Sequence, residues 1–265
     1  MSDADGASST SPSPSDSALL LYGLTGAALS LPDMAIHGVG GAQLHLIAEG
    51  GLAALVSALP PRSSVASPQV EDLLAFQRAI AAVHAVADVL PARFGSVLES
   101  EAELRSHLHA RQAPYLEALA RIAGCVELAV RVPLATSQPP EPAAASPRPS
   151  GGADYLRARQ AHHKRLQQAQ EQVQRSSAAV VALFADLARA SHTQQSSDNT
   201  AISISFLVPR AHVEELRRRF AAQLGSATPR QFLLGPWPPF SFADASAGPT
   251  AEDRTGVAGA AGSNG

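Results

Sequence analysis

Apolar residues change their spacing several times along this chain, and each change predicts a different element. From Ala18 to Leu24 they run together and stop at glycine. In QLHLIAEGGLAALVSAL two apolar stretches flank Glu49-Gly50-Gly51, so a strand followed by a β-hairpin is predicted. The intervening AALSLPDMAIHGVGGA keeps no period and reads as a loop with at most one helical turn. Val70, Leu73, Leu74, Ile80, Val83, His84 and Ala87 then recur at three- and four-residue spacing, the pattern of an amphipathic helix, with Ser67-Pro68 as its start signal. Pro91 disfavours further helix and biases Leu90 to extended geometry, which predicts a strand in DVLPARFGSVL. Leu104, Leu108, Tyr115, Leu119 and Ile122 restore the helical period, with Ser100 as cap, Gly124 as stop and Pro114 as the point of kinking or division.

A second domain begins where CVELAVRVPL alternates, placing Val126, Leu128, Val130 and Val132 on one face of a half-buried strand. Tyr155 to Ala190 contains no proline or glycine. It carries Leu166, Val173, Val180 and Leu187 at seven-residue intervals, with Tyr155, Ala169 and Leu183 offset by three, and predicts one long helix. The seam suits either a coiled coil between protomers or packing on the domain's own sheet, and the second is the commoner use. TAISISFLVP is a strand with Ile202, Ile204 and Phe206 on one face, RAHVEELRRRFAAQL a helix and RQFLLGPW a last short strand. With a weaker strand in SHTQQSS the order becomes βαββαβ, which is ferredoxin-like. The expected fold class is therefore α+β in two domains, 18–124 and 125–242, the second ferredoxin-like with one long helix. Residues 1–17, 243–265 and the proline-rich 135–152 lack the apolar area to repay ordering, and are expected to be disordered tails and a linker.

Charge and composition narrow the function. The net charge of −3 supplies no basic field for nucleic acid, and the apolar stretch near the start, broken by Gly23 and Gly26, falls short of a bilayer span. The lone Cys125 allows no intrachain disulfide, and Asp3 and Asp5 stand where a secretory signal would be positive, so a cytosolic protein with no nucleic-acid or lipid-membrane partner is expected.

Chemistry is sparse. His107-His109 and His162-His163 lack the i, i+3 or i, i+4 spacing of helical metal ligands, and no phosphate-binding loop or nucleophile motif is present. No metal, no cofactor and no catalytic residue is expected. Cys125 reads as a buried small hydrophobe. The basic cluster Arg157, Arg159, His162, His163, Lys164 and Arg165 reads as a solvated helix face in preference to a surface for an acidic partner. Arg93, between apolar neighbours where a strand is expected, predicts a partly buried guanidinium acting as a structural clamp. Phe94 and Gly95 beside it suggest a packed ring and a close backbone approach. In GPWPPFSF three prolines fix an extended path carrying Trp237, Phe240 and Phe242. Such a pre-ordered aromatic strip suits partner binding, because little entropy is lost on docking; plugging the protein's own core is an equal alternative.

LPARFG (Leu90 to Gly95) and GPWPPFSF (Gly235 to Phe242) resemble the two signatures of the GvpF/GvpL family of gas-vesicle proteins. LYG at Leu21 to Gly23 and GLAALVS before LPARFG, and GCVELAVRV, GADYLRAR and SFLVPR between the two, follow in family-like order. Ala92 stands where the family commonly has a larger apolar residue, and Phe240 where it has tyrosine. The resemblance implies a non-enzymatic accessory or minor component that assists assembly of a gas-filled protein shell in the cytoplasm. Its implied partners are the major shell protein and other accessory proteins, with homo-oligomerisation left open. A regulatory small-molecule-binding module is the alternative that the ferredoxin-like class itself allows.

Overall fold

A computed structural model describes residues 18–29, 36–59, 65, 68–133, 159–160, 164, 171, 174–175, 177–196, 201–223 and 231–243. The expected tails apart from Ala243, the linker and the residues Tyr155, Leu166, Ala169 and Val173 of the heptad lie outside them. Two units divide the chain: one takes the residues up to Ala123 and those from Pro238 onward, the other Gly124–Trp237.

LLLYGLTG is apolar without alternation because it forms an inner strand, β1 (Leu19–Gly26), buried along nearly its whole length. It pairs antiparallel with β3 (Leu52–Ala58) on one side. Two short strands, β4 (Leu90–Pro91) and β5 (Val97–Leu98), pair with it on the other. β2 (His45–Glu49) completes the Gly50-Gly51 hairpin with β3. The order is β2-β3-β1-β4, with β5 also on β1.

The first helix, α1 (Val70–His84), buries Phe76, Ala79, Ile80, Val83 and His84, one stripe at helical spacing. Phe76, Ala79, Ile80 and Val83 meet Leu20, Tyr22, Val39, Leu44 and Leu55 in a single cluster. Tyr22 organises this core. Its ring stacks on Phe76 at 4.8 Å, and its hydroxyl accepts from the Val39 N–H at 2.8 Å and lies 3.2 Å from Ser57 Oγ. Burial pushes the Tyr22 phenol above its ordinary pKa, which keeps it neutral.

Two expectations for α1 are corrected. Val70, Leu73 and Leu74 are exposed, because the buried stripe begins at Phe76 and the first turn and a half runs past the core. The helix start is made by Gln69, whose N–H donates to the Asp72 carboxylate.

After α1, α2 (Glu101–Ala110) begins where Ser100 Oγ accepts from the Glu103 N–H. The expected division falls at Arg111, so Pro114 becomes the third residue of α3 (Gln112–Ile122). In an unbroken helix its ring would meet the Ala110 carbonyl. Leu104, Leu108, Tyr115, Leu119 and Ile122 are buried as expected.

The second unit starts with β6 (Cys125–Pro133), centred in an antiparallel sheet of order β7-β8-β6-β9. α4, whose described part ends with 177–184, leads into β7 (Ala190–Gln195); β8 (Ala201–Pro209), α5 (Val213–Gln223) and β9 (Phe232–Trp237) follow. The element order is thus β, α, β, β, α, β. Val126, Leu128, Val130 and Val132 of β6 and Ile202, Ile204, Phe206 and Val208 of β8 form one face of this sheet. They bury against Val180 and Phe184 of α4 and Val213, Leu216 and Phe220 of α5.

The long helix does not reach Ala190, as the heptad suggested. The Leu187 and Ala188 N–H groups turn back to the Phe184 carbonyl, and the Arg189 N–H joins Leu207 of β8. Leu187 still reaches the core from beyond the helix. Arg219 of α5 secures this corner, with two bonds to the Asp186 carboxylate at 2.6 and 3.0 Å and one to the Leu183 carbonyl; its hydrogen bonds hold the Asp186 carboxyl below the usual range. No helix among the described residues is long and apolar enough to cross a membrane.

Candidate partner-binding surface

Phe232, Leu233 and Leu234 alternate along β9, and pairing with β6 decides where each points. Arg131 faces Phe232, Val130 faces Leu233, Ala129 faces Leu234 and, beyond an irregularity, Glu127 faces Trp237. Directly paired residues of antiparallel strands share a face. Leu233 accordingly joins the helix-covered core, while Phe232, Leu234 and Trp237 lie on the opposite face. There Phe232 is 50% and Trp237 42% exposed, and Leu234 is half-buried.

Backbone geometry sets the path of this strand. Gly235 has φ 103, and a Cβ there would lie 2.7 Å from the Glu127 carbonyl oxygen, so both the conformation and the close approach call for glycine. Pro236 follows through a cis peptide bond. Trp237 is the last residue of the strand.

Structure splits the aromatic strip expected from GPWPPFSF. Trp237 stays on β9, whereas Pro238 and Pro239 are buried and Phe240 is half-buried against the Tyr22–Phe76 core of the first unit. Phe242 ends the short 3-10 turn Phe240–Phe242 and is also half-buried. The core-plugging reading fits Phe240, while Trp237 is left exposed. Phe240 packs on the first core, and both aromatics fall in the first unit, which takes up the chain again at Pro238.

Phe232 was missed by sequence reasoning. The alternation in FLLGPW could have placed it opposite Leu233, but only the β6 register puts it on the same face as Trp237.

Around Arg93 the outcome is mixed. Arg93 is exposed in the turn after the two-residue β4, so the expected buried guanidinium is corrected: the strand ends at Pro91 and the side chain has left the sheet. Its carbonyl accepts from the Ser96 N–H. Phe94 meets Phe76 edge-on at 5.2 Å, and Gly95 adopts φ 89 with Val65 close by. Ring packing and close backbone approach are thus carried by Phe94 and Gly95.

Cys125 is fully buried at the start of β6. His107 Nε2 lies 2.7 Å from the Tyr115 hydroxyl, which links α2 to α3. Arg159 and Lys164 of the basic cluster are exposed, and its other members lie outside the described residues. No group of three or more His, Cys, Asp or Glu among the described residues is placed to hold a metal ion. A groove of about 640 Å³ lies between Ile36–Gly41 and α1, lined by His37, Glu71, Asp72 and Arg78 over a floor of glycine and alanine; it belongs to the first unit and not to the βαββαβ sheet.

Residues 18–244, which contain the whole span of described structure, match the family model of gas vesicle synthesis protein GvpL/GvpF. The chain belongs to the GvpL/GvpF family. It is 30% identical over 239 residues to gas vesicle protein L of Streptomyces sp. (strain CB03234), covering 80% of this chain and 87% of that one. Its fold is similar to the crystal structure of GvpF from Anabaena sp. PCC7120, with a TM-score of 0.69 at 18% identity over 86% of this chain and 96% of that one. GvpF from Microcystis aeruginosa gives a TM-score of 0.64 at 19% identity, over 85% and 98% of the two chains. As a GvpL/GvpF protein it has a gas-vesicle-related role. In LPARFG and GPWPPFSF a positive-φ glycine, Gly95 or Gly235, stands near a ring, Phe94 or Phe240, that packs on the first core.

Proposed function

We propose that this protein is a non-catalytic accessory or minor structural component that assists gas-vesicle assembly in the cytoplasm by binding the major shell protein. A shell subunit with an apolar gas-facing surface would aggregate in water before incorporation. A partner that covers this surface keeps the subunit soluble and delivers it to a growing nucleus.

The observation that carries this reading is the exposed pair Phe232 and Trp237 on one face of β9. Aromatic residues exposed on a fixed backbone supply apolar contact at small entropic cost, as interface anchors do. Phe240 and Phe242 serve this surface indirectly, by fixing the chain that follows Trp237.

Co-expression with the major shell protein, followed by pull-down, tests the proposal. The wild type is expected to copurify with the shell protein, and Phe232→Ala/Trp237→Ala to lose it while remaining folded by circular dichroism. Undiminished copurification of the double variant would remove β9 as the surface. Absence of wild-type copurification would remove direct binding.

A further inference from the structure

Open sheets leave unpaired backbone groups at their edges, and proteins usually blunt them. Three edges here are blunted. On β2, Arg105 of α2 donates to the Ala48 carbonyl at 2.7 Å while pairing with Glu49 and Glu101. On the far side of the first sheet the strands are two residues long, and β4 contains Pro91. On β9, Pro236 removes a donor and the register breaks between Glu127 and Ala129.

β7 has none of these devices. Ala190–Gln195 pairs with β8 in six consecutive steps without a shift, and all six residues are exposed. The sequence ASHTQQ contains no proline, lysine, arginine or carboxylate. Ser196 N–H bonds to its direct partner Ala201, so by the alternation of an antiparallel ladder the residues at 192 and 194 also face β8. The N–H and C=O groups of Ser191, Thr193 and Gln195 then point outward.

We infer that β7 is a self-association edge, which pairs antiparallel with β7 of a second copy of this chain about a two-fold axis at Thr193. That register sets Thr193 against its own copy, Ser191 against Gln195 and His192 against Gln194. It makes about six backbone hydrogen bonds and joins two four-stranded sheets into one.

Composition selects the occupant. A two-fold brings residues near their own copies, so a charged edge would repel itself, and this edge carries no Lys, Arg or carboxylate. Both faces of β7 are polar, so an apolar strand from another protein would gain little burial beside Ser191, Thr193 and Gln194. A second β7 offers matching hydroxyl and amide pairs. One strand pair buries far less than the roughly 1,200 Å² of a stable interface, so the dimer is weak and concentration-dependent.

Sedimentation of the full chain over about two decades of concentration reads this directly. The wild type is expected to move from monomer toward dimer, and Thr193→Lys to raise the dissociation constant at least tenfold. Trp237→Ala leaves the equilibrium unchanged. Thr193→Cys should give a reducible dimer on oxidation, since the two-fold places the two Cα atoms about 5.5 Å apart, within disulfide reach. Ala178→Cys, exposed on α4, should not. A wild type that stays monomeric throughout, a dimer indifferent to Thr193→Lys, or a Thr193→Lys defect seen only in binding to another vesicle protein would each overturn the inference.

Discussion

The two edges of the second sheet, β7 and β9, are built on opposite plans. β7 is polar, regular in register and complete in its backbone groups, but carries no large apolar side chain. β9 carries Phe232 and Trp237 but is broken by Gly235-Pro236 and an irregular register. Main-chain hydrogen bonding is therefore the means of recognition open to β7, and side-chain burial the means open to β9. On the two proposals above, one small sheet would engage two different surfaces, because its edges do not compete for the same kind of partner.

Breaking β9 at its backbone should have the largest effect. Gly235→Val places a Cβ against the Glu127 carbonyl in a conformation that side chains avoid, and should cost about 2–4 kcal/mol of stability in chemical denaturation, with loss of partner binding. Trp237→Ala separates anchor from frame: partner affinity should fall by about 2 kcal/mol in a titration while the melting temperature holds, as expected for an exposed interface aromatic.

Uncapping β2 extends the comparison to the first sheet. Arg105→Ala frees the Ala48 carbonyl and should cost about 1 kcal/mol. It should also raise the tendency to associate in light scattering, because a second edge becomes open. The smallest effect on stability is expected at β7, where Thr193→Lys should stay within about 0.5 kcal/mol of wild type while reducing self-association.

These edges differ in how far the sequence announces them. The core face of the second sheet was readable because Val126, Leu128, Val130 and Val132 and Ile202, Ile204 and Phe206 alternate strictly, and alternation fixes a face once one side is covered. Trp237 was singled out by its setting among prolines, and the structure leaves it exposed. Phe232 was not, since its exposure depends on a non-local pairing with Arg131 that no local pattern encodes.

Arg93 and the start of α1 failed for a related reason. Apolar neighbours suggested burial for Arg93, but the chain leaves the sheet after Pro91, and a turn exposes what a strand would have enclosed. Val70, Leu73 and Leu74 keep helical spacing past the end of the core they would pack on, because periodicity reports the conformation of a segment and not how far its neighbours extend. The division at Pro114 and the cap at Ser100 are governed by contacts within a few residues, and both were legible.

The most direct test of the account is light scattering from unfolded major shell protein diluted into buffer with increasing amounts of this protein. The account predicts that the wild type suppresses scattering and saturates near equimolar ratio, while Phe232→Ala/Trp237→Ala, folded and equally soluble, suppresses it far less. Equal suppression by the two proteins, or none by the wild type, would contradict it.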